Sequence, residues 1–329
     1  MTTSPPRRRV ARERLGRLRR VPLSNLLLRQ EYVIAVGHTD TLRDLPGRAW
    51  TSTVTRDLVT DAVAEYVADP FLLRRDGLYH LFFEVLNLQT GRGELSVAHS
   101  RDLAHWTYGG VILREAWHLS YPYVFEHDGE VYLIPESAEH RAVTLYRATG
   151  FPRRWQKVTD LLTGAPYVDS SIFRDGLEDG HWWLVTSLEE GGAPLVYRAE
   201  SLTGPWDAVD VHGPTDARRL RSAGRIFLRA GAWHRPVQRR GQVYGEDVWL
   251  MRIDLMDGTY RETLATDIPQ PLLAPHGEGW NSLGMHHMDV HPEDGGFLAT
   301  VDGKALILDL NLRRTWLRLR NKLLGIGRS

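Results

Sequence analysis

The chain has 329 residues, 42% hydrophobic and 25% charged, with 41 basic and 41 acidic side chains and no cysteine. This is the composition of an ordinary soluble globular protein. It excludes disulfides and thiolate metal sites, and its neutral balance argues against nucleic acid as a partner. No run of 18 apolar residues appears, so no transmembrane helix is expected. Residues 1–20 lack the apolar centre of a secretory signal, which gives a cytoplasmic expectation.

Residues 1–30 open the chain as a basic tail with little to bury, expected to be disordered. A single domain is expected over 31–310. It contains a sequence that occurs twice without a gap: residues 69–84, DPFLLRRDGLYHLFFE, return as 121–136, YPYVFEHDGEVYLIPE. Each copy reads as a strand, an Asp-Gly turn and a second strand, because two residues tolerant of positive φ between apolar runs favour a hairpin. A third copy starts at Asp169 and reaches Ser187. A fourth runs from Gly224 and Arg225 to Gln238, and the weakest runs from His287 to Val301. The copies begin about 50 to 60 residues apart, the spacing of four-stranded propeller blades. Trp106, Trp155 and Trp206 fall at one phase of three copies and are expected to pack between neighbouring blades. The fold expected is an all-β, five-bladed propeller, with the N-terminal region supplying a strand that closes the ring.

Residues 311–329 form a basic amphipathic segment, a short helix with Trp316 and leucines among arginines. Two placements fit it: peripheral docking on an anionic membrane surface, or packing across the bottom of the propeller with the basic face in solvent.

In a blade, the innermost strand starts at one face and the next strand returns to it. The first and last residues of each hairpin therefore meet at one mouth. That phase gathers Asp69, Tyr121, Asp169, Arg225 or Gly224, and His287 or His286 from strand starts, and Glu84, Glu136, Ser187, Arg235 and Gln238 from hairpin ends. Carboxylates, arginine, histidine and tyrosine converging on an apolar scaffold describe a polar binding site.

The motifs ADPF at 68–71, FFE at 82–84, HLSYPYV at 118–124, IPES at 134–137 and RPVQ at 235–238, with Tyr244-Gly245, together resemble one family. It is the five-bladed propeller at the N-terminus of plant glucosamine inositolphosphorylceramide transferases, and the resemblance covers roughly 60–305. The architecture is similar to that of glycoside hydrolase family 43. That similarity implies a general base at Asp69 and a further acid near Asp169, but it finds Tyr121 where those hydrolases usually carry an acid.

Glycoside chemistry needs one protonated and one ionised carboxyl, and Asp69, Glu84, Glu136 and Asp169 supply four. Asp69 is the expected base, with Glu136 or Asp169 the acid. Arg235 is expected to hold a carboxylate or a sugar phosphate, while Tyr121 and Tyr244 stack on or hydrogen-bond a sugar. Histidines 286 and 287 are adjacent on a strand, so one at most should face the pocket. No cofactor is expected. If the 284–289 run held a metal, Ca²⁺ among oxygens suits it better than Zn²⁺. The expected activity is at a glycosidic or glycosyl-phosphate bond. The alternative is a non-catalytic glycan-binding propeller that assists a partner glycosyltransferase.

Overall fold

The structure is a computed structural model that describes residues 27–45, 50–176, 180–213, 221–239, 244–256, 258–293 and 295–326. Most of the basic tail expected to be disordered lies outside the described residues. Five sheets surround one axis, as the repeat implies. Two strands near the N-terminus, β1 (Leu28–Thr39) and β2 (Ser52–Val54), precede the first blade. Blade I is β3 (Ala64–Arg75), β4 (Leu78–Asn87), β5 (Arg92–Ser100) and β6 (Thr107–Leu113). Blade II is β7 (Ser120–His127), β8 (Glu130–Glu136), β9 (Ala142–Gly150) and β10 (Arg154–Thr163). Blade III is β11 (Tyr167–Arg174), β12 (Trp182–Leu188), β13 (Leu195–Ala199) and β14 (Asp207–Val209).

Blade IV is less regular. A short outer β15 (Val211–His212) comes first, and the inner strand is split into β16 (Arg221–Ser222) and β17 (Phe227–Arg229). Then come β18 (Ala232–Gln238), β19 (Val248–Met256) and β20 (Thr259–Leu264). Blade V combines both ends of the domain. β21 (Gly284–Glu293) and β22 (Gly296–Leu308) are joined by β1 and β2, in the order β2-β1-β22-β21. The ring is thus closed by backbone pairing of β1 on β22, from Leu28 opposite Leu308 to Thr39 opposite Phe297.

The Asp-Gly turns behave as their chemistry requires. Asp76-Gly77 and Asp128-Gly129 both take positive φ at both residues, as does Ala230-Gly231 in blade IV. The core is a set of apolar seams between blades. Trp155 of blade II meets Phe82 of blade I edge-on at 6.0 Å, and Trp106 of blade I donates its indole N–H to Ser52 Oγ of blade V at 2.9 Å. Trp206 packs on the large seam shared by blades I to III. The tryptophan phase is therefore interblade packing.

One local device recurs at the mouth. In blades I to III the inner strand carries two residues opposite one: Asp69-Pro70 facing Phe83, Tyr121-Pro122 facing Pro135, and Asp169-Ser170 facing Thr186. The first residue of each pair is left-handed, with φ 53°, 47° and 49°. Such bulges re-aim a side chain out of the pleat, here toward the axis. Gly224 takes the same place in blade IV, with φ 138°, and a Cβ there would lie 1.7 Å from the carbonyl oxygen of Met288. In blade V the extra residue is His286.

The C-terminal helix α1 (Leu312–Leu324) is capped by Asn311, whose side chain accepts the Arg314 N–H, and ends at left-handed Gly325. It does not cross the bottom of the ring. β22 passes the pocket at Asp302 and Lys304 and runs out at the mouth end, so α1 docks there, beside blade I. Arg318 binds Glu65 at 2.7 Å and Asp309 at 2.5 Å, and Asn321 donates to the Leu88 carbonyl at 2.9 Å.

Candidate functional site

The bulges bring Asp69 and Asp169 to one mouth, where hairpin-end residues Glu84, Glu136 and Gln238 join them. Two clusters result. In the first, Arg221 forms an ion pair with Asp169 through Nε and a 3.2 Å contact through Nη2. The same Nη2 reaches Glu136 Oε2 at 3.0 Å. Gln238 Nε2 donates to Asp169 at 3.3 Å, and Gln238 Oε1 has no partner among the described residues. Burial works to raise both acids. For Asp169 the Arg221 guanidinium outweighs it and holds the carboxyl below its ordinary range. For Glu136 burial prevails, reinforced by the neighbouring Asp169 charge, and its carboxyl is pushed well up. The pair therefore favours the proton on Glu136 and the charge on Asp169.

The second cluster surrounds Asp69. Its carboxylate accepts the Tyr121 N–H at 3.2 Å, and its own N–H donates to Asp302 at 3.0 Å. His286 Nε2 lies 3.6 Å from Asp69, while its Nδ1 is 2.6 Å from Asp302. Burial, opposed by His286 and assisted by Glu84 and Asp302, pushes the Asp69 carboxyl up to about 8. His286 is raised: burial disfavours its charge, but Asp302 overcomes that. Glu84 meets His118 Nε2 at 3.2 Å, and His118 Nδ1 accepts the Gly93 N–H at 3.0 Å, which leaves the imidazole proton facing the carboxylate. Asp69, His286 and Asp302 stand close enough to surround a cation. His286 already hydrogen-bonds Asp302 and Asp302 accepts the Asp69 N–H, so the trio reads more simply as a charge-paired cluster in which His286 faces Asp69 at 3.6 Å.

Several expected residues sit elsewhere. Arg235 is fully buried in blade IV, bound through two nitrogens to Glu262 at 2.5 and 2.7 Å. It lies three positions before Gln238 on β18, and strand alternation sends it to the opposite face. Arg225 lies past the mouth, deeper along the axis, where it pairs with Asp289 at 2.6 Å and donates to the Val124 carbonyl at 2.9 Å. Tyr121 is 1% exposed, with its hydroxyl bound to Ser171 and Gly224, so it forms the floor of the pocket. His287 is buried against Phe71 and Tyr121, although its Nδ1 comes within 3.7 Å of Asp69. The bulge at His286 breaks the alternation, so His286 and His287 both come near Asp69, at 3.6 and 3.7 Å. Tyr244 remains at the mouth, with Arg221 5.6 Å over its ring and His286 edge-on at 5.6 Å.

The residues missed by sequence were Arg221, His118, Asp302 and Tyr66, whose ring packs 5.1 Å from Tyr32 and whose hydroxyl is held protonated by burial and by the nearby Glu84. Tyr66, His118 and Arg221 each stand three positions before a bulge residue (Asp69, Tyr121 and Gly224), so the repeat did carry a signal for them. Asp302 had none, since it enters from β22 by pairing opposite His287.

Residues 49–304 match the family model for the N-terminal region of glucosamine inositolphosphorylceramide transferase 1. The chain is 34% identical over 254 residues to that transferase of Arabidopsis thaliana and 32% identical over 251 residues to that of Oryza sativa subsp. japonica. Each alignment covers 73% of this chain. The chain spans about a third of the length of these relatives, 32% and 33%. Among solved structures, a GH62 hydrolase in complex with xylotriose superposes with TM-score 0.54 at 15% identity, covering 74% of this chain and 94% of that one. An exo-1,5-α-L-arabinanase from a bovine ruminal metagenomic library superposes with TM-score 0.51 at 15% identity, covering 75% and 94%. At that identity the likeness is one of fold. The chain belongs to the family of the glucosamine inositolphosphorylceramide transferase 1 N-terminal domain.

Proposed function

We propose that the protein binds a sugar or glycosyl phosphate at this mouth and acts at its glycosidic or glycosyl-phosphate bond. The observation that carries the reading is that Arg221 bridges Asp169 and Glu136 at the same mouth as Asp69, with the guanidinium holding the Asp169 carboxyl down while burial pushes the Glu136 carboxyl up. Pairs of acids pushed apart in this way supply a donor and a stabilising charge together. Glu136 gives its proton to the leaving oxygen as the bond to the anomeric carbon breaks. The attacking water or hydroxyl loses its proton to the Asp69 carboxylate, backed by His286 and Asp302. Asp169, an expected acid, is assigned instead to holding charge. The plant relatives are named glucosamine inositolphosphorylceramide transferase 1, a name that joins an amino sugar to a phosphorylated inositol lipid, and this supports a sugar or glycosyl phosphate as ligand.

The test is turnover of a panel of aryl glycosides and glycosyl phosphates by the wild type, Asp69→Asn and Glu136→Gln. Each substitution should lower kcat/KM at least about a hundredfold, the size of a general acid or base effect. The Asp69 limb of the pH profile should rise with a midpoint near 8, because Asp69 must lose its proton to act as the base. A limb near 4 would show that the Asp69 carboxyl is not raised, and a profile unchanged by Asp69→Asn would remove Asp69 from that role.

A second reading, a glycan-binding module serving a partner glycosyltransferase, draws support from the bulge positions of blades II and IV. Tyr121 and Gly224 stand there, and neither is a carboxylate. If the wild type turns over nothing and Asp69→Asn binds the same glycans equally well, this second reading replaces the first.

A further inference from the structure

Helix α1 is turned the opposite way from an ordinary surface helix. The side it presents to the propeller carries Arg318 and Asn321, which bind Glu65, Asp309 and the Leu88 carbonyl, with Leu317 as the apolar residue buried beside them. The side it presents to solvent carries Leu312, Trp316 and Leu324, at 85%, 61% and 51% exposure. The patch continues onto the end of blade V. Leu306, Leu308 and Leu310 are exposed there, and Leu28 stands opposite Leu308 across the β1–β22 pair. Isolated exposed leucines need no explanation, but a contiguous group of seven large apolar residues does.

The charges carried by the helix itself have one sign, and Arg314 meets the exposed Asp57 at 3.5 Å. Residues 312–324 hold four arginines, one lysine and no acid. Arg313 and Lys322 are exposed, and Arg320 lies 5.9 Å over the Trp316 ring. Leucine and tryptophan flanked by arginine, on a helix with no acid, match the boundary between acyl chains and anionic headgroups, where the ring sits at headgroup level and the cations meet phosphates. A protein partner would need acids placed one by one, whereas a bilayer supplies apolar depth and negative charge together. The patch lies at the end of the ring onto which the pocket opens.

We infer that α1 and the exposed end of β22 form a docking face for an anionic lipid bilayer, with Leu310, Leu312 and Trp316 entering the interface and Arg313 and Lys322 meeting headgroup phosphates. Docking there holds the mouth near the membrane surface. This inference stands apart from the chemistry proposed for the pocket, and its test reads binding alone.

The experiment is co-sedimentation of the full chain with phosphatidylcholine vesicles, with and without about a third phosphatidylglycerol, at low and physiological salt. Retention on the anionic vesicles, weakened by salt, is expected, with little on the neutral ones. Leu312→Ala/Trp316→Ala should lower retention at least tenfold. Arg313→Gln/Lys322→Gln should lower it severalfold and flatten the salt dependence. These side chains are exposed, so melting curves should show the variants folded. A variant lacking residues 1–26 separates this face from the basic segment before it. Retention by the truncated chain supports the inference, and loss of all retention on truncation overturns it. It also falls if the full chain ignores anionic vesicles, or if the Leu312/Trp316 variant changes only oligomeric state in light scattering, which would make the face a contact between copies of the chain.

Discussion

Replacing Arg221 by glutamine should destabilise the protein in a way that depends strongly on pH. In the wild type the guanidinium holds Asp169 below its ordinary range and lies 3.0 Å from Glu136. Without it, Asp169 is a buried carboxylate with no cation beside it, left with Gln238 at 3.3 Å and its hydrogen bond to the neighbouring Glu136. The fold then keeps Asp169 protonated. Holding an acid of ordinary value about 3.9 neutral at pH 7 costs about 4 kcal/mol, at about 1.4 kcal/mol per pH unit. Glu136 is already protonated and adds little. For a chain of this size the loss is about 8 °C in melting temperature at roughly 2 °C per kcal/mol.

The sign follows from the direction of each shift. A depressed carboxyl stabilises above its unfolded value and loses that contribution as pH falls through the folded value. A raised carboxyl destabilises above its unfolded value and stops doing so below it. Both differences vanish toward acid, but in turn: the penalty on the variant should shrink to about 1.5 kcal/mol at pH 5 and end near pH 4, while the wild type keeps the contribution of its depressed Asp169 carboxyl until the pH falls below the ordinary carboxylate range. Thermal melts at half-unit steps from pH 4.5 to 7.5 measure it. A gap of constant size across that range would show that Arg221 acts by packing, and the proton division at the Glu136–Asp169 pair would have to be abandoned.

Two further outcomes test the scaffold. Arg235→Met should cost about 3–5 kcal/mol by leaving Glu262 buried without its cation, and Arg235→Met/Glu262→Met should recover most of it; chemical denaturation of the four proteins closes the cycle. Gly224→Ala should prevent native packing of blade IV on blade V, because its Cβ would meet the Met288 carbonyl at 1.7 Å. A soluble variant with an unchanged melting temperature would show that the approach of the two strands is not required.

Much of the architecture was legible in the sequence because its determinants are local. Asp76-Gly77 and Asp128-Gly129 need only their own tolerance of positive φ to set two hairpins, and alternation along β4 and β8 needs only the period of a strand. Repetition multiplied these signals until the blade count followed, and the shared phase of Asp69, Asp169, Glu84 and Glu136 brought four acids to one mouth. What tertiary structure alone decided was which neighbour each acid meets. Arg221 comes from an inner strand split into two short pieces, and Asp302 reaches Asp69 across the blade V–blade I seam. Arg235 and Arg225 look alike in sequence, yet one is buried within a blade and the other deep in the axis. Chain alternation chooses a face but not the partner waiting there. The proton on Glu136 and the charge on Asp169 depend on a guanidinium placed by another blade, and electrostatics at contact distance is fixed only once the ring has closed.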